Sequence, residues 1–343
     1  MIMNVNQIVA QKLIERLKTA EETGEKFYWI KPFSKGCPRT AMSYSSCEEY
    51  TGINRFLLDS SKEYLTYKKI MEINGQNPDD FYRLRKGCHG NIVVYFNRVP
   101  VKDEETGEPK IDEKTGLPVM KSFARYYTVF DREDVINKDG VNLPSKFPIE
   151  QYDHTDEEKQ LQMALLKFSA IVKSYCSRYN ISIEETYQGT EAYFMPSKNT
   201  VRIPSKESFS SISSFCETMF HELVHSSMIP LGRNKTDKGM TLEDSMKSYS
   251  LEELIAELGA AMLMASINLP NQETEKNSLA YLQGWSKYLS EKQSSLIYAA
   301  SQAEKAVELI MSEFEHNLEE IQGNIINEQE DRSDALTSDV EER

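Results

Sequence analysis

Residues 221–225 read His-Glu-Leu-Val-His, and no other stretch restricts the fold as tightly. Two histidines four apart share one face of an α-helix, one turn apart. Both imidazoles can then reach one metal ion, as zinc requires with Zn–N bonds of about 2.0–2.1 Å. Glu222 projects beside the metal, where it can take a proton from a coordinated water. This is the H-E-x-x-H arrangement of zinc peptidases. The run Phe215, Met219, Phe220, Leu223 and Val224 is apolar enough to bury the helix. Ser208, Ser210, Ser211, Ser213 and Ser214 precede it and offer several N-caps. The competing reading is a buried helix whose histidines are satisfied by hydrogen bonds.

A catalytic zinc keeps three protein ligands and one open position, so a second element must bring one more donor. The segment Leu251–Leu263 places acidic residues inside an otherwise apolar helical pattern. A buried carboxylate is costly unless it is paired or bound to a metal. Glu253 and Glu257 share a face, and Glu252 points about 100° away from Glu253. The spacing is similar to the E-x-x-x-D of thermolysin-like gluzincins. Glu253 is expected as the ligand and Glu257 as the acceptor for the far N–H of a ligating imidazole. The converse assignment, with Glu257 on the metal, stays open, as does a solvated acidic face. Tyr249 and Tyr193 are both candidates to donate to a developing oxyanion.

The 343 residues carry a net charge of −14, unevenly spread. Residues 1–150 hold 23 Lys+Arg against 22 Asp+Glu, and the remainder 17 against 32. The stretch 324–343, with seven acids and two arginines, reads as a disordered tail. Five cysteines at 37, 47, 88, 176 and 216 form no C-x-x-C pair, which fits a reducing compartment. The opening Met-Ile-Met-Asn-Val-Asn lacks a basic region followed by an apolar one, and no apolar run spans a bilayer. A cytoplasmic location and no membrane partner are therefore expected.

Hydrophobic periodicity predicts helices over 4–20, over 62–73 and from Leu161 to Tyr175. Strands are expected over 91–99 and 123–130. Between those strands Asp-Glu-Glu-Thr-Gly-Glu-Pro at 103–109 recurs as Asp-Glu-Lys-Thr-Gly-Leu-Pro at 112–118. The duplication predicts one extended hairpin arm within 100–120. Ala192–Met195 and Thr200–Ile203 flank a turn at 196–199. A short edge strand there could pair with an extended peptide. The stripe Leu296, Ala300, Ala303, Val307, Ile310 and Phe314 marks a packing helix. The fold class is α+β. A small N-terminal α+β domain covers 1–140, a linker 141–154, and a mostly helical domain with a short sheet 155–323.

The order of these pieces resembles the ArdC-type antirestriction proteins of plasmids and conjugative elements. The resemblance runs from about residue 5 to 312. It rests on Trp29-x-Lys31-Pro32-Phe33, Tyr50-x-Gly52-Ile53-Asn54-x-x-Leu57-Leu58, Val93-Val94-Tyr95-Phe96 and Tyr127-x-Val129-Phe130. Further on it includes Gly189-x-x-Ala192-Tyr193, the His-Glu-x-x-His, Tyr249-x-x-Glu252-Glu253-Leu254-x-Ala256-Glu257-Leu258 and Ala280-Tyr281-x-x-x-Trp285. The chain departs from the family at Met42, where an asparagine is expected. It also departs in the acidic arm and at Ser226-Ser227, where an aromatic is usual. The resemblance implies an N-terminal single-stranded-DNA-binding domain and a C-terminal zincin-like metallopeptidase domain.

Single-strand binding needs cations interleaved with aromatic platforms. From 31 to 98 there are eleven Lys+Arg against seven acids. Lys31, Lys35, Arg39, Arg83, Arg85 and Lys86 are the expected phosphate contacts, Trp29 and Tyr50 the stacking candidates, and Asn54 a further contact implied by the resemblance. Three functions are consistent with these residues. The first binds single-stranded DNA and hydrolyses a peptide at a zinc site. The second is a DNA-binding antirestriction factor with a structural or inactive metal site. The third is a regulatory zinc peptidase with one protein target and no DNA affinity.

Overall fold

The computed structural model describes residues 4–23, 41–60, 62–76, 80–103, 106–112, 116–147, 157–187, 191–233, 242–267, 269, 295–312 and 314. The N-terminal elements are α1 (Val5–Thr23), β1 (Met42–Ser43), α2 (Asn54–Leu57), β2 (Glu63–Leu65), α3 (Tyr67–Gln76), β3 (Arg83–Leu84), β4 (Asn91–Pro100), β5 (Met120–Asp131) and β6 (Val135–Ile136). Then come α4 (Glu157–Tyr179), β7 (Ser182–Thr186), β8 (Tyr193–Met195), β9 (Thr200–Pro204), α5 (Ile212–Ser226) and α6 (Leu242–Ile267). A last helix, α7, covers 296–312. The architecture is α+β, as the sequence predicts.

In the N-terminal half a four-stranded sheet runs β1-β2-β5-β4. β4 and β5 form a long antiparallel ribbon in register from Asn91↔Val129 to Pro100↔Met120. The sequence predicts helix over 62–73, but Glu63–Leu65 is a buried strand paired with β5. Tyr64 and Leu65 are each drawn into a hydrophobic cluster, and tertiary burial outweighs local propensity there. Thr66 then starts α3, its Oγ1 accepting from the Lys69 N–H at 3.2 Å. The duplicated arm is two small hairpins side by side rather than one long one. Bridges pair Lys102 with Pro109 and Ile111 with Pro118. Gly107 and Gly116 close them at φ of 72° and 67°, which a Cβ disfavours.

Part of the segment expected as a linker folds back onto the N-terminal half. Leu143 is buried with Tyr44, Leu65, Ile70, Tyr82 and Val135. The Arg132 Nη1 donates to the Leu143 carbonyl at 2.7 Å, and Lys146 Nζ to the Tyr44 carbonyl at 2.7 Å. The Leu143 side chain is worth more in this small core than in water.

The C-terminal half contains a three-stranded sheet, β7-β9-β8. The central β9 is mostly buried, and β8 is an edge strand. The turn over 196–199 ends on Asn199 at φ 49°, a left-handed conformation that asparagine tolerates. α5 and α6 pack closely because Gly259 has no side chain: a Cβ there would lie 2.8 Å from Val224 Cγ2. Every member of the predicted α7 stripe from Leu296 to Phe314 is buried. One hydrophobic cluster joins Val9, Phe56 and Val94 to Phe220, Leu254 and Ala300. Among the described residues no helix is long and apolar enough to cross a membrane.

Candidate metal centre

α5 starts where Ser211 accepts a hydrogen bond from the Ser214 N–H at 3.1 Å, so one of the five available serines is the cap. Phe215, Cys216, Met219, Phe220, Leu223 and Val224 bury its inner face. His221 and His225 are left on the face turned to a cavity of about 310 Å³. Their Nε2 atoms stand 3.1 Å apart. Glu253 comes across from α6, 3.6 Å from His221 Nε2 and 3.5 Å from His225 Nε2. The far ring nitrogens each face another carboxylate at 3.7 Å: His221 Nδ1 faces Glu257, and His225 Nδ1 faces Glu252.

This donor set fits a divalent cation. Two ligands about 2.05 Å from a tetrahedral zinc lie roughly 3.3 Å apart, close to the observed separations. At that distance the two Nε2 atoms either share one proton or face a cation. Glu257 and Glu252 favour a proton on each Nδ1. Both Nε2 lone pairs then aim at one point, and a cation there relieves their repulsion. His221, His225 and Glu253 are also the group whose donor atoms all lie within 4.8 Å of one another.

Glu222 is 5% exposed and lines the same cavity. Burial pushes its carboxyl up, offset in part by the two histidines and by the Phe194 N–H of β8, which donates to it. The net direction is upward. Glu257 is also raised, chiefly by burial. Burial lowers His221, but the facing Glu253 and the surrounding carboxylates reverse this, and the imidazole is held above its ordinary value.

The sequence left two features of the centre unseen. Burial would raise Glu252, but the facing His225 and the hydrogen bonds from Arg233 outweigh it and hold the carboxyl below its usual range. Arg233 grips Glu252 through Nη2 at 2.6 Å and Nε at 3.1 Å. It also donates to the Val224 carbonyl and Ser227 Oγ, each at 3.1 Å, so one guanidinium ties the end of α5 to α6. Glu252 stood out only as an acid off the Glu253 face, and nothing local marked Arg233. Tyr193 lines the cavity with its hydroxyl accepting from Arg202 Nη1 at 3.2 Å. Tyr249 belongs to α6, but its side chain lies outside the described residues.

The expected DNA contacts are dispersed. Trp29, Lys31, Lys35 and Arg39 lie outside the described residues. Tyr50 is half-buried and packs edge-on against Tyr64, with ring centroids 6.5 Å apart. Asn54 spends its amide on the Val94 backbone, donating to the carbonyl at 2.9 Å and accepting from the N–H at 2.7 Å. Arg83, Arg85 and Lys86 are exposed, Arg85 within 3.9 Å of Asp134.

A family model described as the N-terminal domain of anti-restriction factor ArdC matches residues 3–130. A second, described as a zincin-like metallopeptidase, matches 172–302. The chain is an ArdC-type protein. Two crystal structures of the antirestriction protein ArdC from plasmid R388, one metal-free and one Mn(II)-bound, share the fold of this ArdC-type chain. Their TM-scores are 0.53 and 0.52 at 24% identity, covering 90% of this chain and 97% and 98% of theirs. The ArdC-type chain is also 25% identical over 321 residues to DNA primase TraC of Escherichia coli. That match covers 90% of this chain but 20% of TraC. A second TraC from Escherichia coli is 25% identical over 318 residues, which cover 89% of this chain and 27% of that TraC. Protein y4eC of Sinorhizobium fredii is 24% identical over 308 residues, 87% of this chain and 89% of its own length. The ArdC-type chain thus spans about a quarter or less of the TraC primases it matches.

Proposed function

We propose that this chain is an antirestriction protein of a mobile genetic element that binds single-stranded DNA and carries a zinc-dependent peptidase site. The observation that supports the site most directly is the convergence of His221 Nε2, His225 Nε2 and Glu253 at 3.1–3.6 Å. A zinc ion held by these three residues would supply Lewis acidity to a scissile carbonyl and lower the pKa of a water toward neutrality. Glu222 is the general base: it takes the water's proton and carries it to the leaving amine. The Phe194 N–H favours the charged form of the Glu222 carboxylate. Glu257 and Glu252 fix the two imidazoles in the tautomer that presents Nε2. Ala192, with Tyr193 and Phe194 of the edge strand β8, forms one wall of the cavity. That edge supplies backbone partners for an extended peptide. Tyr193 and Tyr249 are the side chains proposed to assist the oxyanion.

DNA binding is assigned to the N-terminal half, where charge is near balance while the remainder of the chain is acidic. Arg83, Arg85 and Lys86 are exposed and are proposed as phosphate contacts. Metal analysis of the purified protein tests the centre: about one zinc per chain is expected, and failure to take up added zinc would overturn it. Glu222→Gln separates hydrolysis from binding. It should abolish cleavage of a peptide or casein substrate while retaining the metal. Antirestriction that survives this substitution in full would favour the reading in which the site is structural.

A further inference from the structure

We propose that single-stranded DNA lies along one face of the β4–β5 ribbon, with bases stacked on Tyr95, Phe123 and Tyr127 and phosphates met by Arg125 and Lys121. This deepens the DNA-binding reading above and rests on it. Alternate residues of a strand share a face at roughly 6.8 Å spacing. Along β5 the sequence Lys121, Phe123, Arg125, Tyr127 therefore sets cation, ring, cation and ring in a single row. The register places Tyr95 of β4 opposite Arg125 on the same face. The rings are arranged as platforms. Tyr95 and Phe123 sit 6.0 Å apart with a 51° tilt, and the Arg125 guanidinium lies 5.8 Å from the Phe123 centroid. Asn97 Nδ2 donates to the Tyr95 hydroxyl at 3.1 Å and steadies that ring.

The face is open, with Tyr95 and Tyr127 each 48% exposed. The opposite face packs inward through Ile92, Phe96 and Ala124, and on the open face the inner end, Val93 and Val129, is buried. Charge also matches the occupant. In a chain of net charge −14, residues 91–100 and 120–130 contain Arg98, Lys121 and Arg125 and no carboxylate. At its inner end the ribbon borders a cleft of about 620 Å³, lined by Tyr95 and Tyr127 themselves and by Glu48, Glu49, Glu304 and Glu308. Those acids repel phosphate, so the backbone of the strand runs on the Arg125–Lys121 side. Stacking with a cationic track is the arrangement that holds single strands without reading their sequence. Double-stranded DNA hides the base faces that the three rings would cover.

The test uses the full chain and fluorescence anisotropy of a labelled oligo-deoxythymidine over a salt series. Arg125→Ala with Lys121→Ala should flatten the slope of log K against log salt by about 1.4, two single-strand phosphates' worth. Tyr95→Ala with Tyr127→Ala should weaken binding roughly tenfold or more per ring and leave that slope unchanged. Ultraviolet cross-linking of wild type should map to peptides containing Tyr95, Phe123 or Tyr127. Wild-type binding that both double variants retain at full strength, with cross-links elsewhere, overturns the ribbon and leaves the DNA reading standing. Wild type that binds no single strand at any salt concentration overturns both. Tighter binding to an equivalent oligo-uridine would replace DNA with RNA as the occupant.

Discussion

Among single residues, Arg233 has the widest reach for its size. It touches no proposed metal ligand, yet it holds Glu252, which faces His225, and it caps the carbonyl of Val224. Partners one step removed from a metal typically contribute 10–100-fold to affinity. Arg233→Ala should therefore weaken zinc binding by about that factor in a chelator competition. Glu252→Gln, which retains an acceptor, should cost less. Equal affinity across wild type and both variants would dismiss the assignment. The cysteines make a second expectation at this scale. Burial pushes the Cys176 and Cys216 thiols up to about 12. A raised thiol pKa removes the reactive thiolate, leaving on the order of one part in 10⁴ at pH 8. Peptide mapping after maleimide treatment at pH 8 should find the exposed Cys47 modified and Cys176 and Cys216 protected until denaturant is added.

At the level of elements, the centre depends on how closely α6 approaches α5. Gly259 sets that approach against Val224, which is fully buried and β-branched. Alanine is the better helix former by about 1 kcal/mol. Here it meets Val224 Cγ2 at 2.8 Å, and overpacking of a tight core costs about 1–3 kcal/mol. The stiff valine cannot swing aside, so overpacking wins. Gly259→Ala should lower the urea midpoint and loosen the metal, and adding Val224→Ala should restore part of both. Stability gained by the single variant would show that the helices have slack. The β8 edge and the β4–β5 ribbon illustrate the converse. Each leaves backbone or rings uncovered by the protein, and each borders a proposed binding site.

Across the whole molecule, an ion pair joins the two halves beside their shared hydrophobic cluster. Arg55 of α2 meets Glu304 of α7 through Nη2 at 2.8 Å and Nε at 3.0 Å. The Gly52 N–H donates to the same carboxylate at 2.9 Å. Glu304 is 7% exposed, so removing Arg55 strands a nearly buried charge. Such a loss typically costs about 3–5 kcal/mol, whereas replacing both partners by apolar groups is far milder. Arg55→Met should lower the midpoint of a denaturant titration markedly, and Arg55→Met with Glu304→Met should recover much of it. A double variant no better than the single would mean that the pair does not join the halves energetically.

The local chemistry of the centre could be read without coordinates. An α-helical period of 3.6 is enough to bring His221, His225 and Glu222 to one cavity. The same period puts Glu253 and Glu257 on one side of the next helix. The α7 stripe and the long strands β4 and β5 were equally visible, because each repeats a burial pattern over many residues. Three things depended on the chain folding onto itself. Glu63–Leu65 became a strand because two distant cores claim Tyr64 and Leu65. Asn54, a nucleotide contact by resemblance, meets the Val94 backbone across 40 positions. Arg233 and Glu252 acquired a role only when α6 crossed α5 at Gly259. Periodicity records which face a residue takes, but a partner far along the chain leaves no mark in the local pattern.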